Sequence, residues 1–349
     1  MLRVIHVIGR LPRHGTQRQL IGMIRCAHGR RWDATLAVLR SGDPLAREAA
    51  RDGIPVVEFD APDADPRRLW WLRRLIRAAD VVHASLWGAN AFTRVASATV
   101  RHRPAVVISE RSVETTRPRT RRMLDRALRP WTDAYIANSN DVARFVADAH
   151  GVPTDRVTVI PNGIDGSVFF PPAERRRDGP VKLGTVGRLI PEKGLDVLLA
   201  AMPAIMASRP IELTIVGDGP ERPRLERSAR GLPVVFAGEL TEPADVASFL
   251  RSIDVFVMPS RWEGRPNALL EAIACGAATV ASDVPGMAEA SSEATLLIPP
   301  DRPAALADAV GQALESPARS TAPQTGFPEV AVAHLMVYER AHRGRKQSP

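Results

Sequence analysis

Short runs of Val, Ile, Ala and Leu alternate along the chain with longer segments in which apolar residues recur every three or four positions. The first pattern predicts strands at 2–8, 34–39, 55–59, 81–84, 105–109, 134–137 and 157–160, and again at 181–186, 212–216, 234–237, 255–258, 278–281 and 295–298. The second predicts helices near 16–29, 44–52, 66–78, 89–101, 117–130 and 139–149, then near 194–208, 220–230, 243–252, 266–275 and 303–315, with a last one at 330–342. Strand–helix alternation belongs to parallel sheets covered on both faces. The scheme runs twice, which predicts an α/β chain of two Rossmann-like domains.

Between the two series, residues 169–180 combine four prolines or glycines with three consecutive arginines. That is a linker composition. It sets an N-terminal domain at 1–170, a hinge at 170–180 and a C-terminal domain at 180–325. The tail from Gly344 reads as frayed. Open parallel sheets bind ligands beyond the carboxyl ends of their strands, so the expected site is the cleft between two facing domains.

Composition narrows the function classes. A chain of 349 residues with 45% hydrophobic and 25% charged residues is not disordered overall. No apolar run reaches the roughly 18 residues that span a bilayer. Arg3 and His6 break up the apolar start, which does not read as a secretory signal. Cys26 and Cys275 stand far apart, which argues against a disulfide framework or zinc site and fits a reducing cytoplasm. Charge is lopsided: residues 1–172 carry a net +10 and the remainder −2. The first half should attract something anionic, unless its arginines form an ordinary solvated face. The segment 66–77, with five Arg and two Trp, suits an anionic membrane interface, or else a normal domain helix with its arginines outward. A second basic run holds Arg117, Arg119, Arg121, Arg122, Arg126 and Arg129.

Several common motifs are missing. The first strand–helix turn, Gly9 to Gly15, is not G-x-G-x-x-G, and there is no P-loop, G-x-S-x-G elbow or H-E-x-x-H. Asp63-Ala-Asp65 is a weak candidate for metal binding. Four segments of the second half fall instead at corresponding strand ends. Gly187-Arg188 to Lys193-Gly194 sets two cations beside a helix start, an anion site suited to a diphosphate. Gly217-Asp218-Gly219-Pro220 and Gly238-Glu239 are glycine turns where backbone could approach a ligand or merely turn. In the fourth, Glu263 lies in a loop, Pro266 opens a helix, and Glu271 sits on its flank. There Glu263 can meet a sugar hydroxyl and Glu271 a ribose diol, while the Asn267 and Ala268 N–H groups suit a diphosphate.

Together these segments resemble the retaining GT-B glycosyltransferases of family 4, the glycosyl transferases group 1. Glu263 to Glu271 is similar to their E-x7-E pattern, Gly187 to Gly194 to G-R-L-x-x-x-K-G, and Pro161 to Asp165 to P-N-G-[IV]-D. Asn138-Ser139, the loop around Gly15 and Thr16, and Asp80 to His83 resemble the family too. The resemblance implies a GT-B fold, with a nucleotide-sugar donor on the C-terminal domain and a final helix at 328–343 crossing back to the N-terminal one. It implies that Arg188 and Lys193 neutralise the donor diphosphate without a metal ion or other cofactor, a UDP-sugar ahead of a GDP-sugar. It also implies that Glu271 holds the ribose and Glu263 the sugar, and that the acceptor, a glycan or lipid-linked glycan, binds near Gly15. Where many members carry a donor-contacting His after the fifth strand, this chain has Glu110 and Arg111, so these two join His83 as sugar-side candidates.

The expected function is retaining sugar transfer in cell-surface polysaccharide or glycolipid assembly, in the cytoplasm or on the inner membrane face. The alternatives are a donor-binding scaffold that has lost turnover, a nucleotide-sugar epimerase, and a nucleic-acid-binding protein. The last lacks a recognition module, so nucleic acid is not an expected partner.

Overall fold

A computed structural model describes residues 1–60, 65–113, 117–174, 179–207, 209–315 and 325–347. Asp63 of the Asp-x-Asp pattern, the 175–178 charge run and the 316–324 stretch lie outside them. The chain divides into two compact units, Met1–Gly163 with Thr325–Pro349, and Ile164–Gln324.

The first unit holds β1 (Leu2–Ile8), α1 (Gly15–Ala27), β2 (Trp32–Val38), α2 (Pro44–Arg51), β3 (Val56–Glu58), α3 (Arg67–Ile76), β4 (Val81–Ser85), α4 (Trp87–Ala98), β5 (Ala105–Glu110), α5 (Arg119–Ala127), β6 (Ala134–Ala137), α6 (Asn140–His150) and β7 (Val157–Val159). Its strands are all parallel, in the order β3-β2-β1-β4-β5-β6-β7. Residues of β1 alternate between two cores. Val4 and Ile8 pack with Leu20 and Ile24 of α1, whereas Ile5 and Val7 pack with Leu72 and Ile76 of α3. A central strand buried on both faces needs such an apolar run rather than an apolar–polar alternation. Helix ends follow local chemistry: the Ser139 hydroxyl accepts the Val142 N–H at α6's start, and Gly151 takes the left-handed conformation at its end.

The second unit holds β8 (Val181–Val186), α7 (Leu195–Met206), β9 (Ile211–Val216), α8 (Arg222–Ser228), β10 (Val234–Gly238), α9 (Pro243–Ser252), β11 (Val255–Met258), α10 (Asn267–Ala274), β12 (Ala278–Ser282), β13 (Leu296–Ile298) and α11 (Pro303–Glu315). These strands are also parallel, ordered β10-β9-β8-β11-β12-β13. α12 (Phe327–Gln347) then joins the first unit, burying Val330, Val337 and Tyr338 against α1 and the first sheet.

Two boundaries differ from the sequence expectation. The first unit ends at Gly163, ahead of the 170–180 linker. Ile164 and Phe169 are already core residues of the second unit, packed in one cluster with Phe256 and Met258. The last helix starts at Phe327 and continues through Gly344 to Gln347, so that stretch of the expected frayed tail is helical.

Strand order fixes where ligands can enter. In each sheet the chain winds outward first one way and then the other. The reversal lies between β1 and β4 in the first unit and between β8 and β11 in the second. Loops leaving adjacent strands diverge there and leave a crevice beyond the carboxyl ends.

Candidate donor site of the second unit

A hollow lies at the β8/β11 reversal, lined by Thr185 to Arg188, Lys193 and Leu195 on one side and by Met258, Pro259 and Ser260 on the other. The four segments picked out by sequence leave the carboxyl ends of β8, β9, β10 and β11, which are neighbours in the sheet. Backbone hydrogen bonds join their loops: Leu189 N–H to Asp218 O at 2.9 Å, Gly217 N–H to Gly238 O at 2.7 Å, and Arg261 N–H to Glu192 O at 2.8 Å.

The motif glycines serve this stacking. Gly217 has φ +131°, and a Cβ there would lie 1.9 Å from Gly187 O. Gly194 has φ +60°, and its Cβ would lie 2.0 Å from Pro259 O. Both positions need glycine because one strand-end loop rests on the backbone of another. The close approach at Gly217 and Gly194 is therefore protein to protein.

Lys193 and Glu263 come from different loops and meet. The ammonium nitrogen is 2.5 Å from Glu263 Oε1, and the Ser260 hydroxyl donates to the same oxygen at 2.8 Å. Both hydrogen bonds fall on one oxygen, which fixes the carboxylate and directs its second oxygen elsewhere. Arg188 is exposed, and no side chain among the described residues pairs with its guanidinium. Asn267 and Ala268 open α10, whose first-turn N–H groups have no intrahelical acceptors. Glu271 stands half buried one turn further on. Asp218 is committed locally: it accepts from Gly219 N–H at 2.7 Å and from Arg222 at 2.9 Å. These bonds hold its carboxyl below the usual range. Glu239 is exposed just beyond β10. Among the described residues no group of three or more His, Cys, Asp or Glu could hold a metal ion.

Sequence reasoning gave no role to Ser260 or Arg261. A serine three residues before a glutamate carries no signal of its own, and the partners of Arg261 lie 40 and 65 residues away.

In the first unit the sugar-side candidates separate. Gly15 and Thr16 begin α1 just beyond β1, with Gly15 exposed. Arg111 is half buried, donates to Asn162 Oδ1 at 2.7 Å, and is lowered to about 10 by burial. Two of the candidates are turned inward. His83 is 1% exposed, with Nδ1 against the Tyr338 hydroxyl at 2.7 Å and Nε2 against Ser109 Oγ at 3.0 Å. Both ring nitrogens are engaged within the core of the first unit. Glu110 is buried and accepts from Arg117 at 3.1 Å and Asn90 at 3.3 Å. It belongs to an internal network that continues through Asp125 to Arg94.

Comparison with known proteins decides the family. The profile described as glycosyl transferases group 1 matches residues 180–316, and that of glycosyltransferase family 4 matches residues 13–168. The chain belongs to the group 1, family 4 glycosyltransferases. A glycogen synthase of Mycobacterium tuberculosis is 33% identical over 233 residues, covering 62% of this chain and 56% of that protein. The D-inositol 3-phosphate glycosyltransferase of Acidothermus cellulolyticus is 31% identical over 290 residues, covering 74% of this chain and 63% of its own length. The chain thus spans less than two thirds of either relative. Among solved structures, Anabaena HepE in complex with UDP and glucose superposes with a TM-score of 0.79 at 18% identity, over 99% of this chain and 98% of that one. The fold is GT-B.

Proposed function

We propose that this family 4 glycosyltransferase moves a sugar from a nucleoside diphosphate sugar to a glycan or lipid-linked glycan, with retention at the anomeric carbon and without a metal ion. The observation that carries the reading is the hollow at the β8/β11 reversal. Arg188 and Lys193 line it at the carboxyl edge of the sheet, and Glu263 is hydrogen-bonded to Lys193.

As the anomeric C–O bond breaks, negative charge grows on the leaving diphosphate. Arg188, Lys193 and the N-terminus of α10 are the fixed positive groups that would meet it, a role that a divalent cation can otherwise fill. Glu263, held on one oxygen, would accept from a sugar hydroxyl on the other. Glu271 would take the ribose diol. Arg111 would be the sugar-side group of the first unit, and the start of α1 at Gly15 and Thr16 the acceptor-side one. Two-step retention needs a carboxylate nucleophile on the opposite ring face. Glu263 is tied to Lys193 and Ser260, and front-face departure assisted by the leaving phosphate fits it better. HepE, which binds UDP and glucose, favours a UDP-sugar. A relative named as GDP-mannose-dependent keeps GDP-sugars in the trial set.

The test is incubation with UDP- and GDP-sugars and a glycan or polyprenyl-linked glycan acceptor, with and without EDTA, with the product anomer read by NMR. Transfer with the donor's own anomeric configuration, undiminished by EDTA, is expected. An inverted product or an EDTA-dependent one overturns the mechanism.

We propose further that α3 touches an anionic membrane. Arg68 is buried between Phe59 and Phe92, and Leu72 and Ile76 are in the core. The opposite stripe exposes Trp70, 68% accessible, with Arg67, Arg74 and Arg77 at helical spacing. A tryptophan among cations suits the headgroup layer. The arginines around α5 are tied more closely to the protein: Arg126 and Arg129 donate to the carbonyls of Asp148 and Gly151 at the end of α6. No helix among the described residues is long and apolar enough to cross a membrane. Sedimentation with phosphatidylglycerol vesicles at low salt should capture the chain, and Trp70→Ala with Arg74→Glu should release it. Equal binding of that variant would refute the α3 assignment.

A further inference from the structure

Arg261 stands two residues before Glu263, in the loop after β11, and its guanidinium spans three other segments. Nη1 and Nη2 donate to the two oxygens of Asp196 at 3.1 and 2.9 Å, in the first turn of α7. Nη1 also donates to the Pro191 carbonyl, in the turn that carries Lys193. Nε donates to Asp301 Oδ1 at 2.8 Å, just before α11. The Arg261 main-chain N–H adds a bond to Glu192 O at 2.8 Å.

A single exposed ion pair contributes little. This arrangement differs in three ways. It is bidentate on one carboxylate, it engages a second, and a main-chain carbonyl completes it. A planar fork with several donors holds geometry in a way that the point charge of a lysine does not. Asp301 itself sits at φ +55°, a left-handed conformation uncommon for a residue other than glycine. The segment holding it is thus kept in an unfavourable backbone state while its carboxylate receives Arg261.

The two loops that Arg261 joins are the ones that bring Lys193 and Glu263 together. Pro191 and Glu192, its main-chain partners, immediately precede Lys193. Ser260, its neighbour, is the second group on Glu263. We propose that Arg261 is a positioning residue for sugar transfer: it locks the 191–194 turn to the 259–263 loop and so sets Lys193 and Glu263 in register over the hollow. This rests on the donor-site reading above. Arg261 need not touch the donor, because Asp196, Asp301 and the Pro191 carbonyl already take its hydrogen bonds.

The consequence is kinetic. Small displacements of reacting groups cost far more in turnover than in binding, about 100-fold for an ångström. Arg261→Ala, Arg261→Lys and Asp196→Asn should each lower kcat about 10- to 100-fold. The donor KM and the Kd of the bare nucleoside diphosphate should weaken several-fold less than kcat falls, because the displaced Lys193 is one of several groups on the diphosphate and Arg188 and Glu271 are not part of the clamp. Lysine should fail to rescue, and the Arg261→Ala/Asp196→Asn double variant should be no worse than either single one. Hydrogen exchange should quicken at 188–194 and 259–266 and not at β12 or β13. Full turnover in Arg261→Lys, or a loss of kcat that only follows a lower folded fraction, overturns the proposal alone. A wild-type chain that binds no nucleoside diphosphate and turns over no donor overturns the donor-site reading, and the clamp's role in transfer with it.

Discussion

Acidification from pH 7 to 5 should destabilise the first unit far more than the second. All eight histidines lie in the first unit. Burial holds His6 and His334 at about 3, and burial assisted by the adjacent Arg94 holds His150 at about 4. His83 is pushed well below its ordinary value by the same cause. Hydrogen bonds define these rings as neutral acceptors or single donors. The Trp32 indole N–H donates to His6 Nε2 at 3.2 Å, and His334 Nδ1 donates to Val330 O at 2.8 Å. The unfolded chain titrates near 6.5. Because the folded values lie lower, their contribution to stability is complete above about 6.5 and is lost as pH falls towards them. At pH 5 each unfolded imidazole has gained about 2 kcal/mol relative to its folded form, whether the latter titrates at 3 or 4. His6, His150 and His334 together withdraw roughly 6 kcal/mol from a total of about 5–15.

The assay is urea unfolding at pH 7, 6 and 5, followed by tryptophan fluorescence. Trp32, Trp70, Trp71, Trp87 and Trp131 report on the first unit and Trp262 on the second. The first-unit transition should move to lower urea with pH while a Trp262-only variant holds steady. His334→Leu should flatten the dependence by about 1.4 kcal/mol per pH unit. A first unit that loses less than about 2 kcal/mol over this range would refute the reasoning.

Two other outcomes follow from the proposed donor site. Gly217→Ala forces a Cβ to within 1.9 Å of Gly187 O at a φ that L residues rarely adopt, so the second unit should lose about 2 kcal/mol or more and bind nucleotide poorly; unchanged thermal unfolding with and without UDP would count against loop stacking. Lys193→Ala removes one cation from the leaving group and should lower kcat about 100- to 1,000-fold, with the protein still folded by circular dichroism.

Much of the fold was legible because parallel strands buried on both faces leave unmistakable apolar runs, as at 181–186 and 255–258. The unit boundary at Gly163 lies ahead of the 170–180 linker because prolines and charges mark where the chain is exposed, whereas Ile164 and Phe169, which precede them, already face the second core. The donor-side segments could be grouped from sequence because each lies just after a strand. The surroundings of His83 and Glu110 could not be read in the same way. The Tyr338 hydroxyl that claims His83 lies 255 residues away. Glu110 was turned inward by Arg117 and Asn90, neither of which signals burial in sequence. Arg261 shows the same limit: its importance resides in partners that only the folded chain assembles.

The most direct test of the central claim is calorimetric titration of UDP, GDP and ADP into the wild-type chain, Arg188→Ala and Glu271→Ala. One nucleoside diphosphate should bind the wild type in the absence of metal, and each variant should bind it at least about tenfold more weakly, or 1.4 kcal/mol. Binding of none of the three, or equal binding by wild type and both variants, would contradict a donor site at the β8/β11 reversal.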